Sequence, residues 1–136
     1  AKKRVPSKLD KKILFEVGDM TDSKYGSFDY VVAMDSLIHY DKNDIAQILA
    51  ALCKNSKNSV LFTITPNSKL LLFLLYFGKL FPKKDRSPNV SPIKIETLKK
   101  ELKKIISLEN FELINLAKIS QIFYVSQAMV LKNDNY

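Results

Sequence analysis

The feature that most limits what this chain can fold into lies between residues 28 and 65, where two short apolar runs flank a helical repeat. "FDYVVAM" (28–34) and "VLFTIT" (60–65) are rich in β-branched and aromatic residues and read as buried strands. Between them, Ile45, Ile48, Leu49 and Leu52 recur at helical spacing. Asp41 stands at the N-cap position and Asp44 near the positive end of the helix dipole, so the pattern predicts a helix over about 42–54, ended by "NSKNS". Strand, helix and strand in this order point to parallel pairing.

The flanking sequence extends this plan. "ILFEV" (13–17), closed by Gly18 and Asp19, reads as another buried strand, and Pro66, which cannot donate to a ladder, stops the strand at 60–65. "LLLFLLYF" (70–77) is far shorter than the ~20 residues needed to span a bilayer, so it reads as a buried or interfacial helix. The stretch "FPKKDRSPNVSPI", with Pro82, Pro88 and Pro92, must be a loop. Ile95, Leu98, Leu102, Ile105 and Ile106 share a helical face, and "FELINLAKI" and "IFYVSQAMVL" predict an antiparallel hairpin turning at Ser120 and Gln121. The whole reads as an α/β domain whose mostly parallel sheet carries an antiparallel edge.

At 136 residues and 46% hydrophobic, the chain is one domain at most, able to bury about two thirds of its unfolded surface. The one cysteine, Cys53, sits among helical leucines, which excludes an internal disulfide and fits a reducing compartment. With one His and one Cys, no protein metal site is expected. "AKKRVPSKLDKK" has no apolar segment behind it and does not begin with Met, so no signal peptide is expected and the chain reads as a piece of something longer. The net charge of +8 is concentrated in residues 1–12 (+5) and 79–104 (+6). Such blocks suit an anionic substrate, an anionic membrane or nucleic acid, or are simply solvated lysines. No aromatic-interleaved basic groove is visible, which argues against nucleic acid.

Chemistry is concentrated in "MDSLIHY", where an acid, a hydroxyl, an imidazole and a phenol follow the 28–34 strand within six residues. Open α/β sheets bind their ligands at the carboxyl ends of their strands. Together, "FEVGDM", "FDYVVAMDSLIHY", "VLFTITPNSKLL" and "LFPKKDRSP" resemble the magnesium-protoporphyrin O-methyltransferase family of class I S-adenosylmethionine-dependent enzymes, from about residue 13 to 131. The resemblance implies a Rossmann-like sheet of spatial order 3-2-1-4-5-7-6. Residues 13–17 would be strand 3, 28–34 strand 4, 60–65 strand 5, and the hairpin strands 6 and 7. Strands 1 and 2 would be missing, together with their glycine-rich turn, because the only glycines are Gly18, Gly26 and Gly78. Residues 1–136 are therefore expected to be the carboxyl-terminal portion of a single methyltransferase domain, inactive alone, with strand 3 an orphan lacking neighbours.

The activity implied is methyl transfer from S-adenosylmethionine to a propionate carboxylate of magnesium protoporphyrin IX, in chlorophyll or bacteriochlorophyll biosynthesis. The magnesium belongs to the substrate. The same resemblance suggests that a magnesium chelatase subunit hands the substrate over. It also suggests a cytoplasmic protein, peripheral on the photosynthetic membrane, or in the plastid of a eukaryote. Asp19 and Met20 would meet the adenine, and Asp35 and Ser36 the sulfonium end of the cosubstrate; the alternatives are turn and cap roles. His39 and Tyr40 would orient the substrate carboxylate, with proton abstraction by His39 as second choice. Pro66 and Asn67 would shape the acceptor pocket or form a plain turn. Arg86 would clamp the second propionate through two parallel N–H bonds or pair with Asp85. The apolar helix around 70–77 would be core, a cover over the macrocycle, or a lipid contact with Lys69 and Lys79 at the headgroups. The rival readings are a class I methyltransferase acting on another small acid, and a non-catalytic α/β module that binds membrane or a partner.

Overall fold

Asp41 starts the first helix as its position predicts: its Oδ1 accepts from the backbone N–H groups of Asn43 and Asp44 at 2.9 and 3.1 Å. In the computed structural model, which describes residues 5–6, 8–67, 91–105, 108–120 and 125–135, helix α1 runs Lys42–Lys54. Asn55 caps its far end with its N–H on Cys53 and Leu52 carbonyls. Replacing Asp41 by alanine orphans two N–H groups and is expected to cost about 1 kcal/mol, read as a shift of the denaturant midpoint; an unchanged midpoint would show that water caps the helix equally well.

Strands β1 (Phe28–Ala33) and β2 (Ser56–Ile64) flank α1 in the chain and pair in parallel, with Val31 opposite Val60 and Ala33 opposite Phe62. After helix α2 (Ile95–Lys103), β3 (Phe111–Ser120) and β4 (Val125–Asn133) form the antiparallel hairpin. β4 then pairs antiparallel with β2, with Val60 opposite Leu131 and Phe62 opposite Met129. The spatial order is β1-β2-β4-β3, which is the 4-5-7-6 part of the expected order. Ile45, Leu49, Leu52 and Cys53 of α1 and Leu98 and Leu102 of α2 belong to one core cluster with Val60, Phe62, Ile64, Met129 and Leu131. β2 is central, and the chain is buried from Phe62 through the strand's end at Ile64 to Pro66.

Burial also settles the state of Cys53. Desolvation pushes its thiol from 9.0 up to about 12, so at neutral pH it is packing material and not a nucleophile.

Three expectations are corrected. Residues 13–17 do not form a strand: Leu14 is 83% exposed and Val17 fully so. Among the described residues four strands, not five, make the sheet, and only β1 and β2 pair in parallel, so it is not the mostly parallel sheet expected. A strand is stabilised by its ladder, and no described neighbour offers this segment one. The expectation of an orphan segment was right; its strand geometry was not. Second, β1 is not buried. Only Ala33 is, while Phe28, Tyr30 and Val32 on one face are exposed, Tyr30 by 62%. Among the described residues β1 pairs with β2 alone, and its apolar composition serves a surface that nothing described covers. Third, the strand read over 60–65 begins earlier, within "NSKNS". Ser56–Ser59 already belong to β2, Ser56 opposite Phe28 and Ser59 opposite Tyr30, so one residue turns helix into strand. The hairpin turn at Gln121 and Ile106 of the second helix lie outside the described residues.

Candidate functional site

The candidate site is built where β1 and β2, running the same way, release their chains. Beyond Ala33 the backbone turns sharply: Asp35 has φ +52°, the one positive-φ non-glycine residue among those described. Aspartate tolerates this left-handed conformation better than most residues, at a cost of about 1 kcal/mol that the surroundings must offset. They do so from β2. The Asp35 N–H donates to Thr63 Oγ1 at 2.7 Å, and the Thr63 hydroxyl donates back to Asp35 Oδ1 at 3.1 Å. Thr63 is 6% exposed, whereas Asp35 is solvent-accessible.

Ser36 comes next. Its Oγ is shielded from solvent and has no hydrogen-bond partner among the described residues, which leaves a polar atom ready for a bound group. Leu37–His39 then form one 3-10 turn, closed by the Tyr40 N–H on the Leu37 carbonyl at 3.2 Å. Leu37 is fully buried and anchors the turn, which leaves His39 and Tyr40 exposed.

Residues 91–93 return to the same edge of the sheet. Ser91 N–H donates to the Ile38 carbonyl at 2.8 Å, Ile93 N–H to Thr65 at 2.9 Å, and Asn67 N–H to Ile93 at 3.0 Å. These bonds tie the turn after β1 to the exit of β2. Pro66 is buried beside Ile93, and Asn67 is exposed. Asp35, Ser36, His39, Tyr40, Pro66 and Asn67 therefore share one end of the sheet.

Asp19 and Met20 lie elsewhere. Asp19 Oδ1 accepts from the Thr21 backbone N–H at 2.8 Å and its hydroxyl at 2.7 Å; the backbone bond above all, and then the hydroxyl, holds the carboxyl below its ordinary value. A Cβ at Gly18 would meet the Tyr25 hydroxyl, so a side chain there requires the Tyr25 ring to shift. Met20 lines an open groove of about 280 Å³ with Tyr25, Phe28, Tyr30 and Leu52, along the exposed side of β1. Asp35, Ser36 and His39 do not line it. Arg86, the 70–77 run, Lys69 and Lys79 lie outside the described residues.

Sequence reasoning missed Thr63. The signal was present in "VLFTIT", where a central strand carries hydroxyls at 63 and 65 although both positions are buried. A buried hydroxyl needs a partner, and for Thr63 the partner is Asp35. Among the described residues no three His, Cys, Asp or Glu side chains could hold a metal together, and no helix is long and apolar enough to cross a membrane.

Two parallel strands followed outward by an antiparallel pair, with the polar cluster at the carboxyl ends of the parallel strands, define the carboxyl-terminal part of a class I methyltransferase sheet. The family model "Magnesium-protoporphyrin IX methyltransferase C-terminus" matches residues 33–133, and the chain belongs to that family. It is 38% identical over 129 residues to the magnesium-protoporphyrin O-methyltransferase of Rhodobacter capsulatus, covering 95% of this chain and 54% of that protein. It is 35% identical over 82 residues to the chloroplastic magnesium protoporphyrin IX methyltransferase of Arabidopsis thaliana, covering 60% of this chain and 25% of that one. The crystal structure of magnesium protoporphyrin IX methyltransferase from Synechocystis PCC 6803 with bound SAH superposes with a TM-score of 0.63 at 22% identity, over 79% of this chain and 46% of that one. The chain thus spans about half the length of the Rhodobacter relative.

Proposed function

We propose that this chain supplies the carboxyl-terminal part of a methyltransferase domain that moves a methyl group from S-adenosylmethionine to a propionate carboxylate of magnesium protoporphyrin IX, in chlorophyll or bacteriochlorophyll biosynthesis. The observation that carries the reading is the coincidence of the family match over 33–133 with a cluster of acid, hydroxyl, imidazole and phenol at the open end of the parallel strands. The names of the relatives supply the substrate.

The residues present fit a sulfonium ligand. Asp35 sets a solvent-accessible carboxylate at the crevice, which favours positive charge nearby, and the unpartnered Ser36 Oγ can bond the same ligand. Asp19 spends only Oδ1 on Thr21, so Oδ2 remains for an adenine amino group. S-adenosylmethionine supplies an electrophilic methyl group. A carboxylate oxygen of the porphyrin forms the new O–C bond as the C–S bond breaks, and the bonding pair stays on sulfur, which becomes a neutral thioether. No proton changes hands. A propionate is already ionised at neutral pH, so it needs no base but does need to be stripped of water and held in line with the methyl. In this reading His39 and Tyr40, both exposed after β1, are the donors that hold it. Arg86 as clamp for the second propionate, hand-over by a magnesium chelatase subunit and a peripheral contact with the photosynthetic membrane are parts of this reading.

The test is the complete protein incubated with methyl-labelled S-adenosylmethionine and magnesium protoporphyrin IX. Label is expected in a porphyrin ester that mild alkali cleaves. Label in a different acid, with none in the porphyrin, would select the rival methyltransferase reading; binding of neither ligand would sink both.

A further inference from the structure

We propose that Thr63 is a positioning residue for the cosubstrate: it locks Asp35 in the left-handed conformation and so fixes where that carboxylate stands in the crevice. The inference rests on the methyltransferase reading and adds a residue to it. Three observations carry it. Thr63 is buried in the central strand, twenty-eight positions from Asp35 in sequence, so the contact exists only because β1 and β2 are parallel neighbours. Its one hydroxyl serves both ends of Asp35, accepting from the backbone N–H and donating to the side chain. And Asp35 is the one described residue other than glycine at positive φ, a conformation that persists only when its surroundings over-determine it.

The arrangement links backbone and carboxylate through one atom. Remove the hydroxyl and the Asp35 N–H loses its acceptor while the carboxylate loses a donor. The turn can then relax toward ordinary φ values, which moves the charge and shifts the following residues, Ser36 to Tyr40, with it. A charge aimed at a cationic centre acts through distance, so displacement should appear in cosubstrate affinity.

The experiment compares Thr63→Val, which keeps the shape and deletes both bonds, with Thr63→Ser, which keeps both. Each is measured alone and combined with Asp35→Asn, in the complete protein. The readouts are the dissociation constant for S-adenosylmethionine and amide hydrogen exchange at Asp35, Phe62 and Ile64. Thr63→Val is expected to weaken binding roughly tenfold and Thr63→Ser by less than about threefold. Exchange at Asp35 should accelerate while Phe62 and Ile64, held in the ladder, stay protected. In the Asp35→Asn background, where the charge is gone, Thr63→Val should add little further loss, because both changes act through one carboxylate.

Additive losses in the double variant, or normal affinity in Thr63→Val despite faster exchange at Asp35, would overturn the proposal and leave the methyltransferase reading intact. Accelerated exchange at Phe62 and Ile64 as well would show that Thr63 merely holds the sheet, and would overturn it too. If the wild-type protein binds no S-adenosylmethionine, the functional reading itself falls and takes this inference with it.

Discussion

In the complete protein, replacing His39 with alanine is expected to lower turnover about a hundredfold while leaving S-adenosylmethionine affinity within a factor of about two. The split follows from where the residue sits. His39 ends the 3-10 turn after β1, six residues beyond the buried Ala33. It is exposed after β1, and the proposed reaction would ask it to position an anionic oxygen rather than to remove a proton. His39→Asn and His39→Gln keep an N–H donor and should recover part of the loss. Single-turnover measurements separate the chemical step from product release. Wild-type turnover in His39→Ala would remove the residue from the mechanism, and a loss confined to cosubstrate binding would move it to the other side of the crevice.

Phe62→Ala should be the most destabilising single substitution in the described core, costing about 3–5 kcal/mol. Phe62 is 2% exposed near the carboxyl end of the central strand, opposite Ala33 on one side and Met129 on the other, and in one cluster with Leu49 and Leu98. Truncation opens a cavity that strands paired on both edges cannot close by moving. Against a typical total of about 5–15 kcal/mol, that loss takes a third or more of the stability. Denaturant unfolding is the measurement, and a loss below about 1 kcal/mol would place the centre of the core elsewhere. The same strand carries Thr63 on the residue after Phe62, so one element supplies both the packing centre and the lock on the site.

Much of this was legible before any coordinates. Helix α1 has the bounds its apolar spacing and Asp41 cap predict, because both signals are local and the cap is satisfied by N–H groups two and three residues away. The antiparallel hairpin and the crowding of Asp35, Ser36, His39 and Tyr40 into one short stretch were equally visible. What failed were statements about burial. "ILFEV" and "FDYVVAM" have the composition of inner strands, yet residues 13–17 stand unpaired and the Phe28, Tyr30, Val32 face of β1 is exposed. Composition records the environment a segment suits, whereas burial depends on which neighbours are there to cover it.

The linear pattern by itself determined the kinds of elements, their order, and the residues gathered after the first strand, since these follow from periodicity, capping and spacing within a few positions of each other. Only the tertiary structure decided that Thr63 grips Asp35, that Met20 borders a groove along β1 which Asp35, Ser36 and His39 do not line, and that residues 91–93 stitch the turn after β1 to the exit of β2. The hydrogen bonds among these join positions 26 or more residues apart, and no local propensity specifies such pairings. They arise when parallel strands align in register and bring distant side chains within reach of a hydrogen bond.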